Sequence, residues 1–458
     1  MTQANSIAEM DKNWIHPLSN WGEHEQKGAS RTLESAKGVW FKTADGSDLF
    51  DAFAGLWCVN IGYGHDSVAD VAAAQMRKLP YAPAYFGQTM EPGARLAAAL
   101  AERAPGDCTH IYFVPGGGSD AVDTAVRFVH YHNNALGLTE KKHFIALDRG
   151  YHGVSTTSSG LTAMALFHKN FDVPTPLQHH IPTPSPYRHP NGHDSAAVIE
   201  TTVQALRDKV AELGADKVAA FICEPIQASG GVHVPPVGFL KAIREACREL
   251  GILFIVDEVI TGFGRTGPLF ASSAEDVDPD FMTVAKGLTS GYSPMGAVFV
   301  SDKVFRRISE ATPNGTPVGH GHTYAGHSVS AAVGLEVLRI FEEEGVLANG
   351  QDVGPYFLEK LNELHDLPLV GDVRGRGLLA AVELVADKTT KQQIDLNLKV
   401  AERILKAAER HKILFRAYPE GVIALAPALC ITKAEIDILV ERVRAVINEV
   451  TAEITDLL

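Results

Sequence analysis

Lys286 and Asp257 are the residues whose types and setting first promise chemistry. Asp257 stands near the end of the apolar run LFIVDEV, and Lys286 follows 29 residues later in AKGLTSGY. A carboxylate after Ile and Val needs a cationic or hydrogen-bonding partner, because burying it alone is costly. In open parallel sheets, ligands bind beyond the carboxyl ends of the strands, where this pair is expected. Taken singly, Asp257 also reads as a cap for a neighbouring loop and Lys286 as a solvated surface lysine.

An anion-binding segment lies upstream. Residues 115–125, PGGGSDAVDTA, follow the strand-like IYFV, so a glycine-rich loop runs into a helix start. Backbone N–H groups and the helix dipole there favour a phosphate, with Gly118 and Ser119 as its ligands. The loop is neither GxGxxG nor GxxxxGK[ST], which removes the usual dinucleotide and nucleoside-triphosphate fingerprints. DRGYHGVS presents Tyr151, with His152 beside it, for stacking on a flat ring. GHGHTYAGH offers the Thr323 hydroxyl. Its three histidines have no carboxylate or cysteine at metal spacing, and no metal is expected. A phosphate loop, a stacking ring, an acid for a ring nitrogen and a lysine together describe a site for pyridoxal 5'-phosphate (PLP).

These residues need a scaffold to hold them. Between about residues 60 and 325, the runs IYFV, HFIAL, AAFICEP, LFIVDEV and AVFV alternate with helical patterns such as DAVDTAVRFVHYH and GFLKAIREACREL. The alternation predicts an α/β large domain over 60–325 with a mostly parallel central sheet. Residues 1–59 carry GVWFKTADGSDLFDAF with a hairpin turn at Asp45-Gly46. Residues 326–458 carry long amphipathic patterns around strands near VRGRGLLAAVELV and VIALAPAL. The two flanks together predict one smaller α+β domain. HIPTPSPYRHPNGH, 180–193, reads as a loop.

Bulk composition agrees with an ordinary globular protein. The 458 residues hold 41 Lys and Arg against 55 Asp and Glu, and the resulting charge of −14 opposes binding to nucleic acid or anionic membrane. Five cysteines form no CxxC pair and no zinc-like spacing, so neither a disulfide framework nor a zinc ribbon is expected. The amino terminus lacks the pattern of a signal peptide and no apolar run approaches 18 residues, which makes the cytoplasm the expected compartment.

Over nearly its whole length the chain resembles the class III PLP-dependent aminotransferases. The resemblance rests on GLWCVNIGYGH, GGGSDAVDTA, GYHG, ICEPIQASGG, VDEVITGFGRTG, AKGLTSGYSPMGAVFV, GHTYAGH and VRGRGLLAAVEL, in that order. It implies an aspartate-aminotransferase-like fold and a homodimer whose active sites use both chains, with a tetramer of such dimers as the alternative assembly. By position it implies Lys286 as the internal aldimine lysine, Asp257 at the pyridine nitrogen, Tyr151 on one ring face and Val259 on the other. Gly118 and Ser119 would hold the phosphate, Thr323 would reach it across the interface, and Glu224 would lie near the cofactor. Two positions depart from the family: Gly117 has no serine hydroxyl to give the phosphate, and Asp120 replaces a longer glutamate.

Substrate class turns on Ala424 and Arg416. Relatives acting on ornithine, acetylornithine, γ-aminobutyrate or dialkylglycine typically carry arginine where this chain has Ala424. Arg416 in ILFRAYPE instead resembles the arginine of the amine:pyruvate, or ω-transaminase, subgroup. A guanidinium can bind a carboxylate bidentately and swing aside for an apolar group. Trp57, Tyr85 and Phe86 match the aromatic wall of that subgroup, the last two reaching over from the second chain. The expected reaction moves an amino group from a primary amine or ω-amino compound to pyruvate through pyridoxamine phosphate. β-Alanine, taurine, a diamine or γ-aminobutyrate are alternative donors, and a racemase or decarboxylase is the rival on the same scaffold.

Overall fold

The computed structural model describes residues 6–313 and 315–458. Near the amino terminus, β1 (Leu33–Lys37), β2 (Trp40–Thr43) and β3 (Asp48–Asp51) form an antiparallel meander. Asp45-Gly46 makes the β2–β3 turn, where Gly46 has φ +83°, a region that costs glycine little.

The central sheet is built from β4 (His110–Val114), β5 (His143–Leu147), β6 (Gln178–Ile181), β7 (Val218–Cys223), β8 (Leu253–Asp257), β9 (Phe281–Val284) and β10 (Gly296–Val300). Their spatial order is β4-β10-β9-β8-β7-β5-β6. Only β10 is reversed, being antiparallel to both β9 and β4, so six strands share one direction. The mostly parallel sheet is therefore as read from the sequence. Two of its strands were not: β9 went unmarked, and β6 takes His180 and Ile181 from the stretch read as loop.

Helices cover both faces, which explains why the inner strands read as unbroken apolar runs. On β7, Ala220 and Ile222 join one cluster with Val122, Val126 and Val129 of the helix Gly118–Ala135. Phe221 and Cys223 join the opposite one with Val203 and Leu206 of Ser195–Leu213 and Ile243 of Phe239–Glu249. Period-two alternation thus sends neighbouring residues to different cores.

The carboxyl-terminal third adds β11 (Val370–Arg376), β12 (Leu379–Leu384), β13 (Ile413–Leu414), β14 (Arg416–Ala417) and β15 (Val422–Leu425). An antiparallel sheet has the order β11-β12-β15-β14, while β13 leaves it and pairs in parallel with β3, Ile413 opposite Phe50. One guanidinium links three parts of the chain. Fully buried Arg265 donates to Asn60 Oδ1 at 2.8 Å, to Leu378 O at 3.2 Å and to Pro427 O. Among the described residues no helix is long and apolar enough to cross a membrane.

Candidate active site

Because six strands share a direction, the loops that leave β4, β5, β7, β8 and β9 meet at one edge of the sheet. These loops carry the residues singled out above: Gly118 and Ser119 after β4, Tyr151 and His152 after β5, Glu224 after β7, Asp257 and Val259 at the end of β8, Lys286 after β9. Adjacent strands lie about 4.8 Å apart, so β7, β8 and β9 set Glu224, Asp257 and Lys286 side by side. With Gly153 and Ile260, all eight line a single cleft.

The Asp257 carboxylate is held on three sides. Its Oδ1 accepts from the Val259 amide and the Thr283 hydroxyl, both at 3.1 Å, and its Oδ2 accepts from His152 Nδ1 at 2.8 Å. Thr283 lies in β9, opposite Asp257 in the strand register. His152 is positioned in turn by the Thr162 hydroxyl, which accepts its backbone N–H at 2.9 Å. With Nδ1 committed to Asp257, His152 Nε2 is a buried ring nitrogen that has no hydrogen-bond partner in the protein.

Lys286 has φ +42°, a left-handed conformation that non-glycine residues adopt rarely and often at functional positions. Its neighbour shows why the chain is tight here. A Cβ on Gly287 would come within 2.7 Å of both Asn60 Nδ2 and Phe263 Cβ. The Lys286 amine makes no hydrogen bond or ion pair with another described residue. Burial pushes its pKa below the ordinary lysine value, against an upward pull from the Asp257 carboxylate.

Glu224 is buried at 5% exposure, and its oxygens accept from the Tyr151 amide at 3.0 Å and the Ala228 amide at 3.3 Å. Burial raises its pKa to about 7, which the nearby His152 partly opposes. At the other end of the cleft, the helix Gly118–Ala135 begins after Gly117, φ +118°. A Cβ on Gly118 would stand 2.9 Å from Val259 Cγ1, and one on Gly153 would stand 2.6 Å from Ser119 Oγ. The backbone is packed close on Val259 and Ser119, and neither position has room for a side chain. Asp120 folds back and accepts the Gly116 amide at 2.9 Å, so the shorter acid braces the loop. Ser119 Oγ accepts from the Val154 amide at 3.2 Å.

The substrate residues divide into two groups. Arg416 sits on β14 directly across from Ala424 on β15, and its guanidinium lies 4.9 Å from the centre of the Tyr418 ring. No carboxylate of the described residues pairs with it; burial raises the pKa of the Tyr151 hydroxyl, and the Arg416 charge partly opposes that. Trp57 is buried at 2% exposure, with φ +61°, its ring edge against Phe53 at 4.6 Å. It belongs to the apolar cluster that also holds Ile260, Tyr418 and Ala424. Like Arg416 and Trp57, Thr323, Tyr85 and Phe86 are not among the residues that line the cleft. They are exposed, Phe86 at 93%, and lie on two segments that touch: Tyr81 donates to Thr323 O at 2.9 Å.

Three contributors escaped the sequence reading. Thr283 and Thr162 are lone threonines whose role exists only once β9 and the 150–162 loop are folded. Phe167, in the turn Ala165–Phe167, meets the Tyr151 ring at 5.2 Å and 60°.

The residues present fit PLP: amides and glycines at the start of one helix would suit its phosphate, and Tyr151 and Val259 in the same cleft would suit a flat ring. A braced carboxylate and a lysine without a partner among the described residues would suit its nitrogen and its aldehyde. Comparison with known proteins gives the same result. The family model for class III aminotransferases matches residues 22–447. The putrescine–pyruvate aminotransferase of Pseudomonas aeruginosa is 38% identical over 441 residues, covering 96% of this chain and 95% of that protein. The diaminobutyrate–2-oxoglutarate transaminase of Halomonas elongata is 38% identical over 432 residues, 93% and 92% of the two chains. Among solved structures, the ω-transaminase of Pseudomonas jessenii in complex with PMP superposes with a TM-score of 0.94 at 34% identity, covering 98% of this chain and 99% of that one. Motifs, fold and cleft agree, and the chain belongs to the class III aminotransferases, enzymes that depend on pyridoxal phosphate.

Proposed function

We propose that the enzyme transfers the amino group of a primary amine or ω-amino compound to pyruvate. The observation that carries this reading is Arg416, a guanidinium whose charge acts on Tyr151 and which has no carboxylate partner among the described residues, opposite a residue, Ala424, that can offer no second positive charge. One free cation suits a monocarboxylate acceptor. The apolar cluster of Trp57, Ile260 and Tyr418 beneath it suits a donor without a carboxylate.

When bound, PLP supplies a carbonyl carbon for condensation with amines and a ring that withdraws electrons from the bond being broken. The side chains divide the remaining work. Gly118 and Ser119 hold the phosphate through amides at the helix start. Tyr151 and Val259 would cover the ring. Asp257 would hold the ring nitrogen protonated, with His152 and Thr283 keeping Asp257 aimed. Lys286 would hold the cofactor and serve as the base that moves a proton at the substrate carbon. Its burial favours the free amine that this step requires. Glu224 remains beside the site without an arginine partner. In a homodimer, Tyr85 and Phe86 would wall the partner's substrate pocket and Thr323 would reach its phosphate.

The test is spectroscopic. Amine donor alone should convert the visible absorbance of the PLP enzyme to that of the pyridoxamine form, and pyruvate should restore it. A racemase or decarboxylase would turn over with donor alone and show no such alternation. Lys286→Ala should abolish turnover, and near-normal transamination by that variant, purified free of amines, would overturn the assignment.

A further inference from the structure

The first described residues hold a cluster unrelated to the cleft. The helix Ile7–Asp11 ends on Asp11, the helix Trp21–Lys27 carries His24, and the turn between them returns His16 to both. Among the described residues, Asp11, His16 and His24 form the one group of three ligand-type side chains whose donor atoms all lie within 4.8 Å of one another. His16 Nε2 is 2.9 Å from Asp11 Oδ1, and His24 Nε2 is 3.4 Å from Asp11 Oδ2. The two imidazoles stand 4.6 Å apart at 41°, and both turn Nε2 to the same carboxylate.

Those separations are close to what a shared cation would impose. Ligands about 2.0–2.1 Å from a tetrahedral ion are about 3.3 Å from each other, and the two N–O distances, one to each carboxylate oxygen, fall on either side of that. A second observation is independent of the spacing. Asp11 Oδ2 is buried and has no hydrogen-bond partner, while His24 Nε2 lies nearer the Asp11 carbonyl at 3.1 Å. A buried acceptor left unpaired is destabilising, and a cation would give it a partner. The Asp11 and His24 side chains are 12% exposed and His16 is 30% exposed, which leaves one open side for a water as fourth ligand.

We infer that Asp11, His16 and His24 bind a divalent cation of the Zn2+ class, with water completing the shell. Two imidazoles and one carboxylate favour such an ion over Mg2+ or Ca2+, which prefer oxygen-only shells. The spacing, four residues between the first two ligands and seven between the histidines, matches no zinc sequence pattern, and no metal was expected from the sequence. The ion would be structural, clipping the two short helices into one hairpin.

The experiment uses the full-length, PLP-loaded enzyme after chelator treatment and dialysis, titrated calorimetrically with Zn2+ and, separately, with Mg2+. Wild type should show one saturable Zn2+ event per chain, with none for Mg2+, and both His24→Gln and Asp11→Asn should weaken it at least tenfold. Trp14, whose ring is 4.6 Å from His16, gives a second readout: its emission should change with Zn2+ in wild type only. Equal zinc binding by wild type and the variants, or none by wild type, overturns the inference. Circular dichroism without zinc confirms that each variant folds. Should either fail, His16→Gln at the more exposed position decides the matter.

Discussion

At the scale of single residues, Arg416 and Glu224 make opposite predictions. Losing a bidentate, charge-assisted contact costs about 1.5–3 kcal/mol, so Arg416→Ala should raise the KM for pyruvate roughly tenfold to a hundredfold. The donor half-reaction with a carboxylate-free amine should change little, and stopped-flow absorbance separates the two. An unchanged KM for pyruvate would remove Arg416 from the acceptor site. Glu224 speaks to stability. Burial raises its pKa from 4.5 to about 7, so between those values the folded apoenzyme keeps a proton that the unfolded chain has released. The stabilisation is complete below pH 4.5 and is lost as pH rises through 7, amounting to about 3 kcal/mol. Glu224→Gln should flatten that decline in urea unfolding of the apoenzyme. That Lys286, Asp257 and the glycine loop would meet in one cleft was legible because each follows an apolar run or opens a helix. Thr283 was not, because the short strand FMTV that carries it went unmarked.

At the scale of elements, the glycine loop is where a methyl group matters most. Gly118→Ala would drive its Cβ to 2.9 Å from Val259 Cγ1, a contact that forces either Val259 or the helix start to move. PLP retention on dialysis should fall at least tenfold while secondary structure is kept; retention equal to wild type would show that the loop is not the phosphate cradle. The same scale explains which strands could be read. The buried, β-branched runs of β7, β8 and β10 declare themselves. QHHI of β6 carries polar residues on a sheet edge, and β13 and β14 are two residues each, so their strand state comes from neighbours brought in by tertiary folding. Asp45-Gly46 needed no such help, since its turn chemistry is local.

At the scale of the whole molecule, Phe86 at 93% exposure and Tyr324 at 57% lie on touching segments, a costly aromatic surface for a lone chain. In the proposed dimer that surface is covered. Phe86→Asp should therefore shift the enzyme toward monomer in light-scattering chromatography and lower activity in step, whereas an active, unchanged assembly would place these aromatics outside the interface. The pairing of Ile413 with Phe50 has a consequence in time. At about 5–20 residues per second, β3 leaves the ribosome roughly 20 to 70 seconds before its partner β13 is made. Throughout that interval the meander carries an open edge beside a growing central sheet. The first sheet to be synthesised is thus among the last to be closed, and crowding or heat shock during synthesis would find the nascent enzyme vulnerable at its beginning.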